Sequence, residues 1–180
     1  DYLVGEGFYP SYSVHCDADL DSSLAFVKTR PDGCQYLLAS SCHPKMFEAL
    51  RFQSRFMWHN YGAAEFTEPA IQGGCTVTLR AINIAVMLGF YDLHIFGMDS
   101  CFESLEEQHA YPQEFIDTQP VRVKVGDGKE FLTSPPWLAQ ASQFQAMVEN
   151  TGHMFNPIIH GGGLIAEMME RRASREFENV

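Results

Sequence analysis

The sequence predicts an α/β fold with a mainly parallel sheet, helices on both faces and a small β-hairpin excursion. Short β-prone runs alternate with helical periodicity, the predicted strands end in polar or small residues, and a Gly-Asp-Gly turn separates two β-prone runs.

In chain order, Asp1 to Pro10 reads as the end of a helix-loop unit and lacks an initiator Met, so a piece of a longer protein is expected. Tyr12 to Cys16 is the first strand, followed by Asp17, Asp19 and Asp21 and a helical run over Leu24 to Val27. Gln35 to Ala39 is the second strand. Ser40, Ser41, Cys42 and His43 then lead to Pro44, whose fixed φ suits a first helical position, and to a helix over Lys45 to Leu50. Arg55 to His59 is a third strand, while Tyr61 to Gln72 lacks periodicity, contains Pro69 and reads as a loop or lid. Gly73, Gly74, Cys75 and Thr76 open a helix from Val77 to Leu88 that is apolar nearly all round, is expected to be buried, and is stopped by Gly89. Leu93 to Phe96 is a strand ending at Gly97, Met98, Asp99 and Ser100, and Cys101 to Pro120 is irregular. Val121 to Val125 and Glu130 to Leu132 flank the turn at Gly126 to Gly128 as a hairpin. Pro136 to Glu149 is helical, Pro157 to Ile159 is the last strand, and His160 with Gly161 to Gly163 leads into a helix from Leu164 to about Arg172. Ala173 to Val180 is expected to fray.

With 180 residues, 46% of them hydrophobic and 19% charged, the chain suffices for one sizeable core and is read as a single domain over residues 1–180. The net charge of −11 and scattered Lys and Arg argue against a nucleic-acid partner. An anionic nucleotide would need backbone amides, a helix amino end, local cations or a metal. Five cysteines, odd in number and without a Cys-x-x-Cys pair, suit free thiols in a reducing compartment, so a cytoplasmic location is expected. The longest apolar run, Ile82 to Phe90, falls short of the roughly 18 to 20 residues of a membrane span, and none is expected.

Ligands of open α/β sheets bind outside the carboxyl ends of the strands. Those ends carry Asp17 and Asp19, Ser40 to His43, His59, Gly97 to Ser100, and His160 to Gly163, residue types that also serve simply as caps and tight turns. Gly73, Gly74, Cys75 and Thr76 form the best anion site, since amides at a helix start attract phosphate and bare glycines allow close approach, although a plain entry turn has the same composition. Asp99 suits a ribose hydroxyl, a base edge or a hydrated Mg²⁺, or else caps its own turn. Asp17 is the second metal candidate, and Ser100, Gly161 and Gly162 complete the nucleotide-binding set. His109, beside Tyr111, and His43, before Pro44, suit acid-base chemistry near neutral pH and join Asp99 as catalytic candidates; each is equally readable as an ordinary loop or helix-start histidine. Dinucleotide, P-loop and nucleophile-elbow patterns are absent, and the seven histidines show no tight metal-ligand spacing.

Several of these segments together resemble the MptE-like family. Gly73, Gly74, Cys75, Thr76 and Val77 through Ala85, Leu88, Gly89 and Phe90 to Ile95, Phe96, Gly97, Met98, Asp99 and Ser100 look like that family's Gly-Gly-Ser-Val, helix, Leu-Gly-Phe, strand, Gly-x-Asp core. Asp17, then Ser41 to Pro44, then His109, Ala110 and Tyr111, and the closing His160 to Leu164 agree in order. Cys75 stands where Ser is usual, and the Gly-rich first strand-turn is absent, so the domain is expected to lack that element. The resemblance implies a Rossmann-like transferase that moves diphosphate from ATP to a 6-hydroxymethylpterin with Mg²⁺. Similar domains occur in Maf motility accessory proteins, and the fold resembles sialyltransferases that use CMP-sugars. The alternatives are therefore a CMP-nonulosonate glycosyltransferase and a non-catalytic nucleotide-binding domain. The partners expected are a nucleotide and a small acceptor, and the sequence leaves the assembly state, homo-oligomer included, open.

Overall fold

The computed structural model describes residues 2–21, 32–53, 55–60, 70–71, 73–104, 119–126 and 128–178. The chain divides into two compact units, Asp1–Gly73 and Gly74–Val180.

The first unit contains α1 (Tyr2–Gly5), β1 (Tyr12–His15), β2 (Gln35–Ala39), α2 (Pro44–Ala49), β3 (Arg55–Asn60) and β4 (Ala70–Ile71). Its strands form one parallel sheet in the order β1-β2-β3-β4, with Val14 opposite Leu37 and Leu38 opposite Met57. Tyr36, Leu37, Leu38 and Ala39 are all buried, the unbroken apolar run expected of a parallel strand covered on both faces. Within the expected loop Tyr61 to Gln72, Ala70–Ile71 instead pairs with the end of β3. Residues 61–69 and the helical run Leu24 to Val27 lie outside the described residues.

The second unit contains α3 (Val77–Met87), β5 (Asp92–Phe96), β6 (Val121–Lys124), β7 (Glu130–Thr133), α4 (Pro135–Thr151), β8 (Asn156–His160) and α5 (Leu164–Glu178). β5 and β8 pair in parallel, with Asp92 opposite Asn156 and Phe96 opposite His160, and β6 and β7 form the expected antiparallel hairpin. Ile95 joins Leu79 and Ile82 of α3, Ala141, Phe144 and Val148 of α4, and Leu164 and Ile165 of α5 in one core, with Leu93 and Ile159 packed against it. Because side chains alternate along a strand, Asp92, His94 and Phe96 stand on the opposite face, where all three are exposed.

Two expectations are corrected here. α3 is not buried all round: Leu79, Ile82 and Ile84 are buried and Val86 packs against the core, but Met87 is 66% exposed, on a side of the last turn that the core does not cover. The tail expected to fray after Arg172 is instead helical as far as Glu178, where α5 runs through residues that include neither glycine nor proline.

The hairpin is fastened to α5 by Glu167, whose carboxylate meets Lys129 Nζ at 2.9 Å and Arg171 Nε at 2.8 Å. These hydrogen bonds hold the Glu167 pKa below the usual carboxylate range. No helix among the described residues is long and apolar enough to cross a membrane.

Candidate functional site

In the first unit, the parallel pairing of β1 with β2 sets their carboxyl-terminal turns side by side. Ser41 Oγ donates to the Cys16 carbonyl at 3.0 Å, Cys42 Sγ to the His15 carbonyl at 3.3 Å, and the His43 amide to the Asp17 carbonyl at 3.4 Å. Asp17 and Ser40 to His43 thus come together as the sequence implied. Their polar groups hold the turns: His43 Nδ1 accepts from the Lys45 amide at 3.2 Å and caps α2. Burial pushes the Cys42 thiol up to about 11, so it is protonated near neutral pH. His15, which the sequence did not single out, lies with its Nε2 2.7 Å from Ser13 Oγ, and burial pushes its pKa down to about 4 against the opposing pull of Asp17. It is therefore neutral at physiological pH.

In the second unit, the in-register pairing of β5 with β8 brings Gly97 to Ser100 against Gly161 to Gly163. The Asp99 carbonyl accepts from the Leu164 amide at 2.9 Å and the Ile165 amide at 3.4 Å, closing the amino end of α5. Gly163 has a φ of +106°, and a Cβ there would lie 2.8 Å from the Asp99 carbonyl oxygen, so backbone packing alone demands glycine. Gly161, at φ +97°, is fixed by conformation, and a Cβ there would sit 3.6 Å from Asp99 Oδ1. Gly162 is different: its φ lies outside the left-handed region, and a Cβ would meet nothing within 4 Å among the described residues. The described residues impose no steric need for glycine at that position.

The Asp99 carboxylate makes no hydrogen bond or ion pair among the described residues. Solvent reaches it, yet the turns packed around it desolvate it enough to raise its pKa above the ordinary value. Ser100 adopts a φ of 53°, in the left-handed region that non-glycine residues seldom visit. It is held there because Ser100 Oγ donates to Gln140 Oε1 at 2.8 Å and its carbonyl accepts from Thr133 Oγ1 at 2.7 Å. Gln140 Nε2 in turn reaches Thr76 Oγ1 at 3.0 Å, linking this turn to the start of α3.

At that helix start the Cys75 amide donates to Gln143 Oε1 at 2.6 Å, so a side-chain carbonyl occupies the place expected for an anion. A Cβ at Gly74 would collide with Gln143 and with Leu79, so Gly74 is small because a side chain of α4 and one of α3 pack onto it. Asp99, Ser100, Thr76, Cys75, Gly74, Gly161 and Gly162 thus belong to one connected set. Gln140 and Gln143 are the members that sequence reasoning missed; their spacing of three, which puts both on one face of a helix, was the available signal. Gly73 is the last residue of the first unit, to which Asp17 also belongs, and Asp99 belongs to the second. His109 lies outside the described residues. Among the described residues no group of three or more His, Cys, Asp or Glu is placed to hold a metal ion.

No family model matches the sequence, and no curated protein matches it. Among solved structures it is similar to a MAf glycosyltransferase from Magnetospirillum magneticum AMB-1, with a TM-score of 0.68 at 15% identity over 91% of this chain. The match takes in 27% of that protein, so the chain spans about a quarter of its length. The chain has an α/β, Rossmann-like fold, and it shares that fold with part of a Maf glycosyltransferase.

Proposed function

We propose that the turns after β5 and β8 form the donor site of a nucleotide-sugar-dependent transferase of the glycosyltransferase kind, with a CMP-nonulosonate as the candidate donor. The observation that carries this reading is the packing of Gly161 and Gly163 onto Asp99, with Gly162 open between them. The Asp99 carboxylate is partly desolvated and has no hydrogen-bond or ion-pair partner among the described residues, and Gly162, whose neighbours Gly161 and Gly163 pack on Asp99, leaves open space among those residues. Both are accounted for by a ligand that approaches the backbone closely and donates hydrogen bonds to Asp99, as ribose hydroxyls do. The strained φ of Ser100 in the same turn fits that role, since such strain concentrates at ligand-binding positions. The location, at the carboxyl ends of parallel strands, is where open α/β sheets take ligands.

In the transfer, the anomeric carbon–oxygen bond to the CMP phosphate breaks and CMP leaves with that electron pair. An acceptor hydroxyl oxygen bonds to the anomeric carbon, and its proton passes to a base, for which His109 is the sequence's candidate. His43 is assigned a capping role instead. For the donor phosphate to reach the Cys75 amide, Gln143 must swing aside. Asp99 can supply one carboxylate to a Mg²⁺ ion, which commonly takes one or two carboxylates together with phosphate oxygens, and such an ion would offset phosphate charge in a chain of net charge −11.

Calorimetric titration with CMP, a CMP-nonulosonate and ATP, with and without Mg²⁺, tests the reading alongside an assay for CMP release. CMP compounds are expected to bind, and Asp99→Asn to weaken them about tenfold or more, as loss of a hydrogen bond to a charged group does. Turnover of ATP with a 6-hydroxymethylpterin would establish diphosphate transfer instead. Binding of none of these nucleotides would overturn the reading.

A further inference from the structure

On the exposed face of the β5–β8 pair, the outward residues of β5 differ in what they meet. Asp92 Oδ1 accepts from Asn156 Nδ2 at 3.1 Å, and His94 Nδ1 lies 2.7 Å from His160 Nε2, one imidazole donating and the other accepting. Phe96, the last residue of the strand, stacks on His160 with ring centroids 4.1 Å apart and planes 7° from parallel, and the rest of its side chain is left in water, 70% exposed. His160 also stacks on His94 at 5.0 Å, so the ring supporting Phe96 is itself held from a second side. What sets this ring apart from the other exposed hydrophobics is that His160 fixes its orientation while much of it stays open to solvent, an arrangement suited to stacking a second flat group.

The position of that ring says what that group is. Phe96 immediately precedes the Gly97–Ser100 turn, and His160 immediately precedes Gly161, whose Cβ position is 3.6 Å from Asp99 Oδ1. The aromatic step and a carboxylate without a partner among the described residues therefore stand at the same pair of strand ends, Phe96 three residues before Asp99 and His160 next to the Gly161 that faces that carboxylate. A nucleoside has the matching order of groups, a flat base joined directly to a ribose that carries hydroxyls.

We infer that Phe96, backed by His160, is the stacking platform for the base of the bound nucleotide, adjacent to the Asp99 carboxylate that takes the ribose. This rests on the donor-site reading above and extends it by placing the base. Stacking recognises a π-face and not an edge pattern, so Phe96 supplies affinity and orientation, and choice among bases must come from other groups.

The test uses CMP as probe, with ribose 5-phosphate as the same ligand without its base, and the variants Phe96→Leu, Phe96→Ala and Phe96→Tyr beside Asp99→Asn. Thermal denaturation confirms that each variant is folded. CMP affinity is expected to fall about tenfold in Phe96→Leu and Phe96→Ala and to persist in Phe96→Tyr, in keeping with the loss of one base–aromatic stack. Ribose 5-phosphate affinity is expected to be unchanged in all three. The cytosine ring protons of CMP should also shift upfield on binding the unaltered protein and lose that shift in Phe96→Leu, a signature that a merely structural phenylalanine would not give. If Asp99→Asn weakens CMP while both Phe96→Leu and Phe96→Ala bind it normally, or if ribose 5-phosphate binds the unaltered protein as tightly as CMP, the platform is refuted and the donor site stands. If the unaltered protein binds neither ligand, both fall.

Discussion

In the turns after β1 and β2, Ser41, Cys42 and His43 direct their polar groups to backbone, while in the turns after β5 and β8 Asp99 gives α5 its carbonyl and leaves its carboxylate unpartnered among the described residues. The two strand pairs share a topology, neighbouring parallel strands with polar turns at their carboxyl ends. Polarity at a strand end therefore does not by itself mark a site. The useful signal is a residue whose type the fold does not require, and by that measure Asp99 and Gly162 stand apart from Cys42, His43, Gly74 and Gly163.

The sharpest break between required and unrequired residues should appear within one turn. Gly163→Ala places a Cβ against the Asp99 backbone at a φ of +106° and is expected to lower stability on the order of 3 kcal/mol by chemical denaturation. Gly162→Ala, with open space around it, should change stability by less than about 0.5 kcal/mol.

Two carboxylates should next separate by the sign of their pH dependence. The Glu167 pKa is lowered in the folded state, so its contribution is fully present above its unfolded value and is lost as pH falls through the depressed folded value; Glu167→Gln should destabilise the protein near neutral pH and remove that acid-side loss. The Asp99 pKa is raised, so the folded state favours its protonated form, and stability falls as pH rises from the unfolded value through the folded one. Asp99→Asn should therefore leave neutral-pH stability equal or slightly higher while weakening nucleotide binding. Denaturation curves from pH 3 to pH 8 check both signs.

A smaller effect is expected at His43. His43→Ala removes the α2 cap and should cost about 1 kcal/mol while leaving nucleotide affinity unchanged. The smallest is chemical and leaves the fold untouched: an alkylating reagent near neutral pH should label exposed Cys75 well before Cys42, which is buried and has its pKa pushed up to about 11.

Much of this architecture was legible in the sequence because it is written locally. The apolar run of β2, the glycines that end α3 and frame the hairpin, and Pro44 at the start of α2 each act within a few residues, and each element formed near its expected place. The meeting of Gly97 to Ser100 with Gly161 to Gly163 followed from one further rule, that parallel strands deliver their carboxyl ends to the same side. What the sequence concealed is tertiary. Gln140 and Gln143 matter because α4 lays them against Thr76 and Cys75, more than sixty residues away in the chain. Likewise the left-handed φ of Ser100, the neutral state of His15 and the bare ring of Phe96 depend on partners that no local pattern announces.

The central claim is that open space beside Gly162 receives a ligand that Asp99 holds. CMP titration of the unaltered protein, Gly162→Ala and Gly162→Val, each with its melting temperature, tests this most directly. The account predicts that affinity falls stepwise with side-chain size, by about tenfold or more in the valine variant, with melting temperatures held within a few degrees. A valine variant that binds CMP as tightly as the unaltered protein would contradict it.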